Sequence, residues 1–104
     1  MLTSVALLLG GAISLSAADA KVTYEKDCAK CHGKDGTGKT KMGEKLGVKD
    51  YTDAKVQDAI KDEDMIKVIK EGKKDGDTTK MKAFSDLSDD EVKALVAYIR
   101  AFKK

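Results

Sequence analysis

A chain of 104 residues, 37% of them charged yet with a formal net charge of only +2, is long enough for one small domain. Its interspersed signs describe a solvated surface and give no reason to expect nucleic-acid binding. A domain of this size has a marginal hydrophobic core and usually needs a staple, and with 2 cysteines the staple cannot be a disulfide framework.

The first 20 residues, MLTSVALLLGGAISLSAADA, carry an apolar run from Val5 to Leu15 followed by small residues ending in Ala18-Asp19-Ala20. That is the pattern of a secretory signal peptide and its cleavage site. The run falls well short of the roughly 20 residues a membrane-spanning helix needs. The expectation is a cleaved leader over 1–20 and a mature domain over 21–104, with no stable membrane insertion after cleavage. An uncleaved anchor is the alternative. No Lys or Arg precedes the apolar run, so either the true start lies upstream or the amine of Met1 supplies the positive charge. Cleavage would remove one charged residue, Asp19, and raise the net charge by one from +2.

The mature chain opens on KVTYEKDCAKC, Lys21 to Cys31, which predicts a short helix with Tyr24 and Cys28 four apart on one face. It runs into CAKCHG, where Cys28, Cys31 and His32 hold both cysteines and the only histidine within five residues. A Cys28–Cys31 disulfide would close a trivially small loop and add little stability. A thioredoxin-like redox pair asks for a strand-helix alternation that is missing. Zinc wants four ligands, and no further Cys or His exists to complete the set. The remaining reading, C-x-x-C-H as a site of c-type haem attachment, uses every residue of the cluster. On a helical turn the thiols at i and i+3 share a side, suited to two thioether bonds along one haem edge, and the imidazole at i+4 points over the iron.

Glycine then dominates GKDGTGKTKMG, which is expected to be loop. Helical spacing returns in DAKVQDAIK, through Val56 and Ile60, and in EDMIKVIKEG, through Met65 or Ile66 and Ile69, with Gly72 as the stop. KKDGDTTKMKAF is expected to be loop again. The clearest helix comes last: Ser88 to Glu91 reads as a capping box with acids at the positive end of the helix dipole. Its apolar stripe is Val92, Leu95, Val96, Ile99 and Phe102.

These segments resemble the class I c-type cytochromes, the small monohaem electron carriers, over essentially all of Lys21 to Lys104. The likeness rests on Tyr24 four residues before Cys28, on CAKCHG near the mature N-terminus, and on MKAF leading into LSDDEVKALVAYIRAF. The resemblance implies an all-α cytochrome c fold, three to five helices wrapped around one covalently bound haem c. The N- and C-terminal helices would cross, with Leu95 and Tyr98 packing on the first. It makes Cys28 and Cys31 the thioether residues, His32 the proximal iron ligand and Met81 the distal one. Of the other mature methionines, Met65 lies in an apolar helical pattern, and Met42 follows the motif too closely to reach the opposite haem face. Lys82 stands where the family often has Pro, so the Met81 loop is expected to be less rigid. No Pro follows the motif either, so a backbone carbonyl around Thr40 to Gly43 is expected to orient His32. With no Trp present, Tyr51 or Lys49 is left to meet a haem propionate.

The implied function is one-electron exchange by a diffusible, monomeric, periplasmic carrier that is not an enzyme. Its partners would be other redox proteins, with acidic docking patches if the lysines steer them. Lys30, Lys34, Lys80 and Lys82 either form a positive rim that steers such partners or belong to an ordinary solvated surface. A haem peroxidase, or a sensor of CO or NO, in which Met81 detaches is the alternative, although no second His exists to act as a distal acid–base group.

Overall fold

The computed structural model describes residues 17–104, so residues 1–16 of the expected leader lie outside the described part. In chain order the elements are α1 (Ala17–Asp27), α2 (Ala29–His32), α3 (Lys41–Leu46), α4 (Ala54–Asp58), α5 (Asp62–Glu71), β1 (Lys73–Asp75), β2 (Thr78–Met81) and α6 (Asp89–Arg100).

The core is built by α1, α5 and α6. Tyr24 on α1, Met65 and Ile69 on α5, and Val92, Leu95, Val96 and Ile99 on α6 form one buried cluster that also takes in Cys28. Tyr24, Val92 and Leu95 are buried almost completely, at 0%, 0% and 1% exposure. Each aliphatic member is worth about 1.5–3 kcal/mol relative to leaving it in water. The helix crossing is aromatic as well as aliphatic. The Tyr24 ring lies 5.2 Å from Tyr98 and 5.3 Å from Phe102, and those two meet edge to face at 5.3 Å. The expected crossing of the first and last helices, with Leu95 and Tyr98 on the seam, is what the structure has. Helix α6 starts as its sequence predicts: the Ser88 hydroxyl accepts from the Glu91 amide, and the Glu91 carboxylate accepts in return from the Ser88 amide.

Three local expectations are corrected. The first helix is interrupted before Cys28 and resumes as α2, so the motif occupies a junction between helices instead of the end of a single one. The segment expected as loop up to Gly43 ends in a helix: the Thr40 hydroxyl accepts from the Gly43 amide at 2.8 Å and caps α3. The loop expected after Gly72 contains an antiparallel hairpin, β1 paired with β2, with Asp75 opposite Thr78. Gly76 at its tip has φ +63°, a conformation open to glycine without cost, and Thr78 and Thr79 suit the return strand. Only two strands of three and four residues result, with mostly exposed side chains. The architecture remains helical.

Candidate functional site

The motif is held from both ends by single, well-placed bonds. Its N-terminal side is fixed by the Cys28 amide donating to Tyr24 carbonyl at 2.8 Å, and the following turn by the Cys31 and His32 amides donating to Cys28 carbonyl at 3.2 and 3.0 Å. On the far side, the buried Tyr24 hydroxyl donates to Gly33 carbonyl at 2.7 Å. The Gly38 amide donates to His32 carbonyl at 2.8 Å, and the Thr40 hydroxyl donates to Cys31 carbonyl at 2.8 Å. Gly43 packs so closely beneath this turn that a Cβ would lie 2.3 Å from Gly38 carbonyl oxygen and 2.4 Å from that of Cys31. Only glycine fits there.

Cys28 and Cys31 are both free thiols, Cys28 buried in the core and Cys31 half-buried. Burial, then the Asp27 and Cys31 charges, push the Cys28 thiol up to about 12, so it stays protonated at neutral pH. A redox-active dithiol needs the opposite, a stabilised thiolate. His32 follows directly, its pKa lowered by burial. Its Nδ1 is, among the described residues, the one buried side-chain nitrogen or oxygen without a hydrogen-bond partner.

Here a further expectation fails. No carbonyl of the Thr40–Gly43 segment bonds His32 Nδ1; within that segment Thr40 carbonyl accepts from the Glu44 amide and Gly43 carbonyl from the Val48 amide. What meets the imidazole instead is the half-buried ring of Tyr51, stacked at a centroid distance of 5.4 Å with 26° between planes. Burial raises the Tyr51 pKa. Lys49, the other residue considered for a propionate, is exposed.

The methionines separate clearly. Met65 is buried in the core, at 6% exposure, and Met42 is half-buried on α3. Met81 ends β2, half-buried, and packs against the cluster that contains Cys28. Of the four lysines around the motif and Met81, Lys30, Lys34 and Lys82 are exposed, whereas Lys80 is half-buried with its ammonium 3.5 Å from Leu46 carbonyl. Lys82 holds its ammonium 5.3 Å from the centre of the Phe84 ring.

Two residues near the site escaped the sequence reading. Gln57 on α4 is buried at 1% exposure and donates through Nε2 to Tyr51 carbonyl at 2.7 Å and to Ile99 carbonyl at 2.9 Å. Arg100 on α6 donates to Gln57 Oε1 at 2.9 Å, to Gln57 carbonyl at 2.6 Å, to Ile60 carbonyl and to Asp62 at 2.8 Å. The signal for Arg100 was available: it is the only arginine among 20 basic residues. A five-donor fork is hard to replace by lysine. Gln57 gave no such signal.

A family model described as cytochrome c oxidase, cbb3-type, subunit III, matches residues 16–99. The chain belongs to the c-type cytochromes. Among solved structures it is similar to the KustC0563 c-type cytochrome, with 40% identity and a TM-score of 0.72 over 82% of this chain and 98% of that one. It is likewise similar to a tyrosine-to-phenylalanine mutant of Kustc0563, at 38% identity and a TM-score of 0.70 over 82% and 99% of the two chains. No curated protein matches it. Both comparisons support the cytochrome c fold, and the cofactor of such a protein is covalently bound haem c with its iron. Domains of this family are typically extracytoplasmic, and among the described residues no helix is long and apolar enough to cross a membrane.

The donor set suits that group. Two unpaired thiols sit on one turn beside an imidazole with a free buried nitrogen, and no group of three or more His, Cys, Asp or Glu among the described residues forms a metal site of its own.

Proposed function

We propose that this cytochrome is a diffusible one-electron carrier of the periplasm. In this reading Cys28 and Cys31 would anchor the haem through thioethers, and His32 and Met81 would hold its iron. The observation that carries it is the Cys28–His32 turn itself, with both thiols free, the only imidazole beside them, and backbone bonds from Tyr24, Gly38 and Thr40 fixing its shape.

When bound, the haem iron supplies a reversible one-electron change, at a higher potential with His/Met than with bis-histidine ligation. The chain's residues do the rest. With His32 and Met81 both holding the iron, no site would be left on it for O₂ or a substrate. The apolar cluster of Tyr24, Met65, Ile69 and Leu95 lowers the dielectric around the site and keeps water out. The hydrogen-bonded turn around Cys31 fixes the backbone of His32, so little of the chain would have to move on electron transfer. Exposed Lys30, Lys34 and Lys82 supply positive charge for acidic docking patches on redox partner proteins, with Lys80 further withdrawn. Peroxidase chemistry would need a distal acid–base group, and the only imidazole is already used as a ligand.

The test is visible spectroscopy of the ferric protein. The weak long-wavelength band of methionine-ligated haem is expected in the wild type and after Met42→Leu or Met65→Leu, and is lost in Met81→Ala. A band that survives Met81→Ala removes Met81 from the reading. Its absence in the wild type at neutral pH, together with ready CO binding, favours the gas-sensing or peroxidatic alternative.

A further inference from the structure

We propose that the β1–β2 hairpin positions Met81, with Gly72 as the fixed point against which it is set. This rests on Met81 being an iron ligand. A long unbranched thioether side chain turns freely, so its sulfur is held only as well as its backbone is. Lys82 follows Met81, and no proline ring fixes φ there. The hairpin supplies the constraint. Its ladder pairs Asp75 with Thr78 and Lys74 with Thr79, but then Lys73 with Met81, taking one step on β1 and two on β2. Lys80 is the extra residue, as in a β-bulge, and a bulge re-aims the side chains beside it. In an unbroken ladder Lys80 would face Lys73, and Met81 would fall on the same side as the exposed Thr79. Paired with Lys73 it lies on the other side, half-buried and packed against the cluster that contains Cys28.

The chain is pinned on both sides of Met81. After it, the backbone runs against Gly72, which ends α5 at φ +81° and ψ −178°, a conformation essentially confined to glycine. A Cβ at Gly72 would stand 2.7 Å from Met81 carbonyl oxygen, 2.9 Å from Ala83 nitrogen and 3.1 Å from Lys82 carbonyl carbon. All three are backbone atoms, and none has a flexible end to move aside. Beyond Ala83, the Phe84 amide donates to Ile69 carbonyl at 2.9 Å, closing the segment onto the last turn of α5. Before Met81, the Lys80 ammonium lies 3.5 Å from Leu46 carbonyl at the end of α3, the helix whose Thr40 cap also bonds Cys31 carbonyl. Met81 is thus bracketed between α5 and the helix that supports the motif. Gly72, Lys80 and the hairpin turn at Gly76 position the methionine, and none of them is a ligand.

Added imidazole reads the constraint, because it binds the ferric haem-loaded protein only by displacing Met81, and its affinity therefore reports how firmly the thioether is held. Gly76 sits at the exposed hairpin tip with φ +63° and no described atom within 4 Å of a Cβ, so the ladder can be strained there without touching the core. Gly76→Asn, which tolerates a positive φ, should bind imidazole as the wild type does. Gly76→Val strains the turn and should bind it on the order of tenfold more tightly, with the near-ultraviolet circular dichroism of the helix crossing unchanged. Gly72→Ala should lose the long-wavelength methionine band at neutral pH. If Gly72→Ala does not accumulate with haem, the two Gly76 variants decide between the outcomes. Equal affinity in wild type and Gly76→Val, an equal rise in Gly76→Asn, a rise accompanied by loss of the near-ultraviolet signal, or a methionine band kept in Gly72→Ala would overturn the proposal. A wild type without that band, or a band that survives Met81→Ala, would instead remove Met81 as a ligand, so the two failures are told apart.

Discussion

The α1–α6 crossing and the stretch from Cys28 to Tyr51 are stabilised in different ways. At the crossing, Tyr24, Val92, Leu95, Tyr98 and Phe102 share one apolar interface in which many contacts back each other up. Between Cys28 and Tyr51 there is little apolar burial. Single hydrogen bonds from Tyr24, Gly38 and Thr40 hold the turn, a close-packed glycine supports it, and one buried nitrogen of His32 is left without a partner. The crossing is complete as polypeptide. The second region relies on a few single contacts, and in the proposed reading it is the part that would hold the haem.

This contrast can be broken or sharpened by substitution. The largest effect is expected from Gly43→Ala, whose Cβ would press on two backbone oxygens at 2.3 and 2.4 Å that have no flexible end to give way. The haem-loaded protein should fall in yield or lose its methionine-ligated spectrum, while any α1–α6 packing that survives is seen in near-ultraviolet circular dichroism. Leu95→Ala leaves a cavity in the crossing and should cost about 2–5 kcal/mol in denaturant unfolding of the holoprotein, with the ferric spectrum unchanged. Tyr24→Phe sharpens the comparison because Tyr24 serves both regions. Its ring packing is kept, and the buried Gly33 carbonyl loses its donor, at a cost of about 1–3 kcal/mol. Ser88→Ala, far from the motif, should cost only about 1 kcal/mol through the lost cap.

The smallest effect is that of acid. Asp35 has its carboxyl pKa lowered by hydrogen bonds from Thr37, Asp50 by those from Thr52, and Asp89 by Lys70. A carboxylate that is easier to ionise in the folded state contributes stability above its unfolded pKa, near 3.8, and that contribution is lost as pH falls through the depressed folded value. Two of the three lie between Cys28 and Tyr51. Amide hydrogen exchange below pH 4 should therefore rise in residues 33–52 before it rises in α6. Simultaneous loosening of both would contradict the contrast.

The two regions also differ in how legible they were. The crossing could be read from spacing, because helical periodicity and a capping box are local patterns: Val92, Leu95, Val96 and Ile99 are buried as the stripe requires. CAKCHG stood out for another reason, in that it gathers both cysteines and the only histidine of the chain within five residues. What supports the motif was not legible. The Thr40 hydroxyl that caps α3 also donates to Cys31 carbonyl, a contact nine residues back in the chain. The stacking of Tyr51 on His32 and the Gln57–Arg100 lock span 19 and 43 residues respectively, and no periodicity reports such pairs.

Trypsin offers the most direct check on the haem anchorage, because Lys30 lies between the two cysteines and cleavage there separates residues 27–30 from residues 31–34. With haem bonded to both Cys28 and Cys31, mass spectrometry of the digest should find these two tetrapeptides joined as one species carrying a single haem. Recovery of the two peptides as separate, unmodified fragments would contradict the account.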